Sequence, residues 1–155
     1  MLFRRVIRTT DDLTLTLVRA VLGIVFLAHG AQKVLGWFGG GGFAGTLASF
    51  THNMGIPAVF AVLAILAEFL GGIGLIVGLL SRIAALGIAI NMAVAILLVH
   101  APNGLFMNWS GKQKGEGIEY HLLALSMAIL VMVRGAGAWS LDRTLHTRTE
   151  PRASR

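Results

Sequence analysis

Glu68 is the residue whose type and position most clearly predict chemistry. It lies near the middle of residues 61–80, AVLAILAEFLGGIGLIVGLL, and is the only charged residue among them. Twenty predominantly apolar residues are enough to cross a bilayer as a helix. A charged side chain at that depth costs roughly 2.5 to 3.5 kcal/mol on insertion scales, so the carboxylate must face inward and be paired, protonated or hydrated. Glu68 therefore predicts a ligand site, a proton relay or a buried structural contact.

Several other polar residues are expected near the depth of Glu68. Depth follows from position at about 1.5 Å per residue once the inner ends of the apolar segments are aligned. Histidines, carboxylates and a lysine then share the outer half of the bundle, with Asn91 somewhat below them and His100 and Lys33 slightly above. Such a set could bind a polar head group, relay protons or hold a metal. The candidates for ligand binding or proton relay are His29, Lys33, Glu68, Asn91, His100, Glu119 and His121.

Each candidate also has a structural interpretation. Glu68 could simply hydrogen-bond a histidine or Asn91 of a neighbouring helix. A histidine such as His29 or His121 is often a packing residue with one satisfied hydrogen bond. The charged side chains nearest the interfaces, Arg19, Lys33 and Glu119, are expected to reach toward water.

The residue types exclude several kinds of chemistry. The chain has no cysteine, which excludes disulfide exchange, thiolate catalysis and cysteine-ligated metals. No His-x3-His or Glu-x-x-His pair is present, and Glu119 and His121 are two apart and point differently, so no metal site is predicted. Phosphate loops, nucleophile elbows and dinucleotide motifs are absent too. The sequence identifies no catalytic residue and gives no evidence that the chain is an enzyme on its own, although it could be a subunit of a quinone-linked oxidoreductase. A redox role would need a borrowed cofactor, such as a quinone, or a partner.

The positioning elements are membrane helices. Of the 155 residues, 55% are hydrophobic and 13% charged, a composition too apolar for a soluble domain. The longest apolar runs predict an all-α, integral membrane four-helix bundle with spans at about 13–35, 57–80, 83–100 and 118–134. Apolar spacing also predicts a short interfacial helix over residues 43–54 on the outer side. The bundle domain covers residues 13–143, between basic tails at 1–12 and 144–155, and the second tail is expected to be disordered.

The basic residues predict the orientation. With four spans, all ten arginines lie on the side of the two termini, whereas the three lysines lie opposite. This asymmetry places both termini in the cytoplasm. The formal charge of +6 does not indicate nucleic-acid binding, because no soluble domain gathers the basic residues into a patch. A cleavable signal peptide is disfavoured, since Asp11 and Asp12 precede the first apolar run and Arg19 interrupts it.

Small residues and short connections predict how the helices meet. Only Ser81 and Arg82 are available as a polar turn between the second and third spans, which must therefore be antiparallel neighbours. Gly71 and Gly72 share a helix face with Glu68 and allow another helix to approach. The turn-rich loop at residues 101–117 is expected to form a lid over the outer end. Structural roles are predicted for Arg19, Gly30, Gly71, Gly72, Gly74, Gly78 and Arg82.

Segments spread from Arg19 to Arg143 resemble the DoxX family of small bacterial membrane proteins. They read, in order, RAVLGIVFLAHGAQKVLGWFGG, MGIP, AEFLGGIGLIVGLLSR, NMAVAILLVH, GIEYHLL and GAGAWSLDR. The resemblance implies a four-helix protein of the bacterial inner membrane whose relatives are linked to quinone-dependent and thiol-stress oxidoreductases. Disulfide chemistry of distant relatives does not carry over without cysteines. The matching family positions are Arg19, Gly30, Lys33, Glu68, Gly72, Arg82 and Glu119.

Together, residues and resemblance favour one function over two others. The favoured hypothesis is an accessory subunit of a membrane-associated oxidoreductase that binds a quinone-like or small amphiphilic ligand in the outer half of the bundle. The alternatives are a non-catalytic membrane anchor or assembly factor and a proton-coupled small-molecule carrier. The expected partners are the lipid bilayer, a membrane or peripheral oxidoreductase and a second copy of the chain.

Overall fold

The computed structural model describes residues 2–149, which form helices and connecting turns without any β-strand. The prediction of an all-α membrane protein is confirmed. π-Helical turns at Ser49–Asn53 and Ile96–His100 extend two of the helices. The α-helices are α1 (Leu2–Ile7), α2 (Leu13–Leu35), α3 (Gly42–Ala48), α4 (Ala58–Val77), α5 (Ser81–Ala95), α6 (Glu119–Arg134) and α7 (Leu141–Thr149).

Three helical segments are long and apolar enough to cross a membrane. They are Leu13–Leu35, Ala58–Val77 and Ser81–Asn103, the last including the turns that follow α5. Helix α6 has 16 residues and measures about 24 Å at 1.5 Å per residue, less than the roughly 30 Å of a hydrocarbon core. It packs against α5 and α2 as the fourth helix of the bundle. The fourth membrane crossing stays a prediction.

Helices α2 and α4 touch backbone to backbone. A Cβ atom built on Gly30 would lie 2.5 Å from the Cα of Phe69, and one on Gly72 would lie 2.5 Å from the backbone nitrogen of Leu27. Helix association in lipid depends on such close packing. Lipid tails are as apolar as the helix surfaces, so the hydrophobic effect does not drive the helices together. Glycines on both helices therefore set the distance between α2 and α4, which carry Lys33 and Glu68.

Gly30→Ala is expected to destabilise the bundle by roughly 1 to 3 kcal/mol, the usual cost of overpacking a tight contact. The added methyl group would meet the backbone of α4, which cannot rotate out of the way. The melting temperature in detergent measures the effect. Gly45→Ala is the matched control, because a Cβ at Gly45 would meet nothing within 4 Å. An equal effect of both substitutions would contradict this account of the α2–α4 contact.

The predicted tight hairpin between α4 and α5 is present. Its turn is formed by residues 78–80, however, and not by Ser81 and Arg82, which begin α5. Gly78 and Leu80 have positive φ angles of 71° and 49°, and the first suits glycine. The Asp142 carboxylate accepts hydrogen bonds from the backbone nitrogens of Leu80 at 2.7 Å and Ser81 at 2.9 Å. A carboxylate at a helix N-terminus satisfies unpaired N–H groups and favours the dipole. A residue of α7 thus caps α5.

Two predicted structural glycines lie on the hairpin side of α4. Gly71 faces α5, where an added Cβ would lie 3.6 Å from the carbonyl oxygen of Ala84, an ordinary contact. At Gly74 the same atom would lie 3.0 Å from the carbonyl oxygen of Leu79. Gly74 is therefore the more restricted of the two, because the turn folds back over it.

Arg19 is buried rather than extended toward water, so the expectation that it reaches the interface is wrong. Only 1% of its surface is exposed. Its guanidinium donates to the carbonyls of Leu75 and Ile76 in the last turn of α4, and to those of Ala136 and Trp139 after α6. Carbonyls at a helix C-terminus lack intrahelical partners. Arg19 satisfies them, and this contact keeps its charge inside the bundle.

Arg82 makes a similar contact with α6. Its guanidinium donates to the carbonyls of Met132 and Val133, and to that of Arg8 at 3.1 Å. Two arginines therefore close the carboxyl ends of α4 and α6 on one side of the bundle. We call this side, where Arg8, Arg19 and Arg82 lie, the arginine end.

The chain ends are more ordered than the sequence suggests. Ile7 of α1 is fully buried, so the first tail is not merely solvated. Residues 144–149 belong to α7, which packs on α1, so the expected disorder is wrong there. The Ser140 hydroxyl accepts a hydrogen bond from the backbone nitrogen of Arg143 at 3.2 Å and starts this helix. Residues 150–155 of the predicted tail lie outside the described residues.

The predicted helix over residues 43–54 is present as α3 and its π-helical turn. Its position at the membrane interface stays a prediction. The helix follows the C-terminus of α2, and Gly55 ends it with a φ of 67°. It lies at the opposite side of the bundle from the arginine end. We call that side the histidine end, because His29, His100 and His121 lie there.

Candidate functional site

Glu68 of α4 is paired with Lys33 of α2. The Lys33 Nζ lies 2.5 Å from the Glu68 Oε2, and 22% and 8% of the two side chains are exposed. The sequence predicts that Glu68 is paired, protonated or hydrated, and the structure shows it paired with a lysine rather than with a histidine or Asn91. Close packing at Gly30 and Gly72 brings α2 near enough for this contact. The pair removes net charge from the apolar interior.

Tyr120 of α6 joins this region to the seam between α2 and α6. Its ring lies 6.0 Å from that of His29 and 6.5 Å from that of Phe26, measured between centroids. Its hydroxyl is within electrostatic range of Glu68. That hydroxyl is buried and makes no hydrogen bond to any residue of the range 2–149. A buried hydroxyl without a partner is uncommon in native structures and calls for a ligand or water.

His121 and His100 form a second part of the site. Their ring centroids are 4.0 Å apart, and 5% of His121 is exposed. The His100 Nδ1 lies 2.8 Å from the carbonyl oxygen of Glu116. The His121 Nδ1 is buried without a hydrogen bond to the described part of the chain, although the Gly117 carbonyl one turn earlier interacts with the ring. A second buried polar atom therefore lies near Tyr120.

His29 is the exposed member of the group. It lies on α2, and its ring is 6.3 Å from that of Phe26 and 6.0 Å from that of Tyr120. An exposed polar side chain on a spanning helix faces either lipid or a groove. His29 thus lies at the surface beside the contact between α2 and α6.

Glu119 holds the loop at residues 101–117 rather than joining the buried group. Its Oε1 accepts hydrogen bonds from the Met107 backbone nitrogen and the Trp109 Nε1, each at 2.9 Å. Backbone bonds from Gly117 to Phe106 and from Glu119 to Leu105 fold the loop over the start of α6. The loop is therefore folded against the start of α6, and its role as a lid stays a prediction.

Asn91 is also engaged structurally. Its amide nitrogen donates to the carbonyl oxygen of Ala64 at 2.8 Å and links α5 to α4. Within residues 2–149, no three histidine, aspartate or glutamate side chains are grouped as metal ligands. The arrangement is suited instead to hydrogen bonding, with a phenol and an imidazole beside an ion pair and aromatic rings.

Tyr120 and Asp142 are the important residues that the sequence did not single out. Tyr120 is the only tyrosine of the chain, and it lies between two residues that were candidates. Asp142 is the only acidic residue between Glu119 and Glu150. A single carboxylate in a basic segment could have been predicted to cap a helix. The sequence does not indicate which helix it caps.

Comparisons with known proteins agree with this architecture. The family model described as DoxX matches residues 14–101. The chain is 28% identical to the "Inner membrane protein YqjF" of Escherichia coli (strain K12), over 89% of this chain and 96% of that protein. It is 32% identical to the "Uncharacterized membrane protein Rv3486" of Mycobacterium tuberculosis (strain ATCC 25618 / H37Rv), over 84% and 80% respectively.

A third relative is matched over a shorter stretch. The chain is 31% identical to the "Putative oxidoreductase CatD" of Bacillus subtilis (strain 168), over 54% of this chain and 57% of that protein. No solved structure matches the chain. The family model covers more than half of the 155 residues, including both Lys33 and Glu68. The chain is a member of the DoxX family of membrane proteins.

Proposed function

We propose that the histidine end binds a quinone-like or similar small amphiphilic molecule on behalf of a membrane-associated oxidoreductase. The observation that carries the proposal is the buried Tyr120 hydroxyl, which has no hydrogen-bond partner among the described residues. Leaving such a group unpaired costs about 1 to 3 kcal/mol. A ligand carbonyl that accepts its hydrogen bond would recover this free energy.

The surrounding groups favour a flat ring with polar edges. Phe26, His29 and Tyr120 have ring centroids 6.0 to 6.5 Å apart, spacings at which aromatic rings interact favourably. The His121 imidazole supplies a second polar group. Ligand sites commonly combine apolar walls with a few polar groups that fix orientation. A quinone ring has both an apolar face and carbonyl oxygens on its edge.

The Lys33–Glu68 ion pair brings two charged groups into the site, and their charges cancel. Lys33 can donate toward a polar ligand while its contact with Glu68 limits the cost of burial. His29 at the surface of the seam supplies an entry from the lipid phase, where an amphiphilic ligand is dissolved. The chain itself carries no cysteine and none of the catalytic motifs sought, so electron transfer is assigned to the partner.

The name of the CatD relative supports the link to oxidoreduction, and the name of the YqjF relative supports an inner-membrane location. With the arginine asymmetry, the arginine end would face the cytoplasm and the histidine end the outer side. The ligand would then be held in the outer half of the bilayer, beneath the loop at residues 101–117.

Tyr120→Phe is expected to weaken binding of decylubiquinone about tenfold, the value of one lost hydrogen bond of about 1.4 kcal/mol. The ligand-free melting temperature should stay the same or rise, because the substitution removes an unpaired buried hydroxyl. Binding is measured on purified protein in detergent by quenching of tryptophan fluorescence. Ser126→Ala is the control, since Ser126 lies on the same helix and bonds only within it.

Three results would contradict the proposal. Decylubiquinone binding to Tyr120→Phe as tight as to the unchanged protein would exclude the hydroxyl from the site. A lower ligand-free melting temperature would mean that the hydroxyl has a structural partner. Failure of the unchanged protein to bind decylubiquinone would favour the anchor, or the carrier if proton-dependent flux appears in vesicles.

A further inference from the structure

A groove at the arginine end has a strongly basic lining. It is an open cleft of about 470 Å³ bordered by Arg5, Arg8, Arg82 and Val133. Arg5 and Arg8 come from the start of the chain, whereas Arg82 begins α5 and Val133 ends α6. Two arginines from the start of the chain and one from α5 therefore line one cavity. No acidic residue of the range 2–149 lines it.

These arginines differ from others nearby in having no acidic partner. Arg143 pairs with Asp11 at 2.6 Å, and Arg134 lies 4.0 Å from Asp12. Among residues 2–149, no carboxylate forms an ion pair with Arg5, Arg8 or Arg82. Asp142 acts on Arg82 electrostatically, but its oxygens already accept from the N–H groups at the start of α5.

The charges in the groove repel one another. Arg8 acts on Arg82 as a like charge, and the two are held together because the Arg82 Nη2 donates to the Arg8 carbonyl. The Nε of Arg82 is buried and has no hydrogen-bond partner within the described chain. Like charges that lie close together are stabilised when an anion binds between them. The groove thus has the positive charge to hold an oxyanion, and its Arg5 and Arg8 are exposed.

We propose that this groove binds the phosphate of an anionic phospholipid. Its volume is suited to a head group, and Val133 makes its wall partly apolar. An exposed apolar surface continues beyond it on α5 and α6, where acyl chains would lie. That surface comprises Ile83 (53% exposed), Leu86 (45%), Leu130 (38%) and Val133 (66%). Basic pockets between helices at a membrane surface are suited to anionic head groups.

The test uses the full-length protein in detergent with phosphatidylglycerol, phosphatidylcholine or inorganic phosphate as the probe. Native mass spectrometry counts bound lipid, and the melting temperature reports stabilisation. The unchanged protein should retain phosphatidylglycerol in preference to phosphatidylcholine. The double variant Arg5→Gln/Arg8→Gln should bind phosphatidylglycerol at least about tenfold more weakly, because each basic group near a membrane adds about fivefold to affinity for anionic lipid.

The matched control is Arg4→Gln/Arg148→Gln, which removes the same charge from exposed positions outside the groove. Arg82 is kept in both variants because it also holds the end of α6. Equal losses in the two double variants would overturn the site in favour of general charge attraction. Stabilisation by inorganic phosphate as strong as by phosphatidylglycerol would assign the groove to a free anion and overturn the lipid. Equal retention of both lipids would overturn the proposal altogether.

Discussion

Replacing Arg19 with leucine is expected to destabilise the protein by roughly 3 kcal/mol or more. The substitution removes the donor for carbonyls of Leu75, Ile76, Ala136 and Trp139. Each buried carbonyl left without a donor costs about 1 to 3 kcal/mol. For a chain of this size, that loss corresponds to a fall of about 10 °C in the melting temperature. Intrinsic tryptophan fluorescence in detergent would record it.

Arg143→Leu is the control for this prediction. Arg143 is also an arginine of the arginine end and also forms an ion pair, but 38% of its side chain is exposed. Exposed pairs contribute about 0 to 1 kcal/mol. Arg19→Lys should fall between the two, because a single ammonium cannot reach carbonyls on both sides of the guanidinium. Equal melting temperatures for Arg19→Leu and Arg143→Leu would contradict the role assigned to Arg19.

The Lys33–Glu68 pair is expected to show strong coupling in a double-mutant cycle. Lys33→Met should cost roughly 3 to 5 kcal/mol, because it leaves a buried carboxylate without its partner. Glu68→Leu should cost less, since Lys33 is more exposed and can turn toward water. The double variant should recover much of the loss, because it buries no charge. The four melting temperatures in detergent give the coupling free energy.

The same variants separate stability from ligand binding. If the proposed site uses the pair, the double variant will be stable but will bind decylubiquinone more weakly. Glu68→Gln keeps the shape of the side chain and should also weaken binding while it removes the charge. Additive costs in the cycle would contradict the paired geometry. Full binding in Glu68→Gln at unchanged expression would exclude the charge of Glu68 from the site.

Hydropathy and short connections were sufficient to predict the long helices of the bundle and the contact between α4 and α5, because lipid exposure imposes long apolar runs on the sequence, but they did not predict α1 and α7. The partner of Glu68 was harder to predict from the sequence. Depth placed Lys33 slightly above the carboxylate, but a lysine has a long side chain and can reach down by several ångströms. Only the register set by Gly30 and Gly72 shows that it does so.

Arg19 was misread because its depth resembles that of an interfacial residue. Its environment is decided by residues more than fifty positions away, namely the end of α4 and the segment after α6. Tyr120 was missed for a related reason, since an aromatic residue near an apolar segment usually marks the interface. Whether its hydroxyl is wet or buried depends on how α2 and α6 meet. Sequence periodicity does not contain that information.

Asp142, the cap of α5, has a consequence for the order in which the protein matures. Helices α2, α4 and α5 are synthesised before residue 142, yet the N–H groups of Leu80 and Ser81 receive their acceptor only from it. Arg19 likewise cannot donate to the carbonyls of Ala136 and Trp139 until those residues have been synthesised. In a nascent chain these polar groups of the arginine end therefore lack their native protein partners until residues 136–142 have left the ribosome. The segment from Ala136 to Asp142 therefore completes the hydrogen bonds of the arginine end. Chains truncated before this segment are expected to be cleaved more readily by membrane proteases.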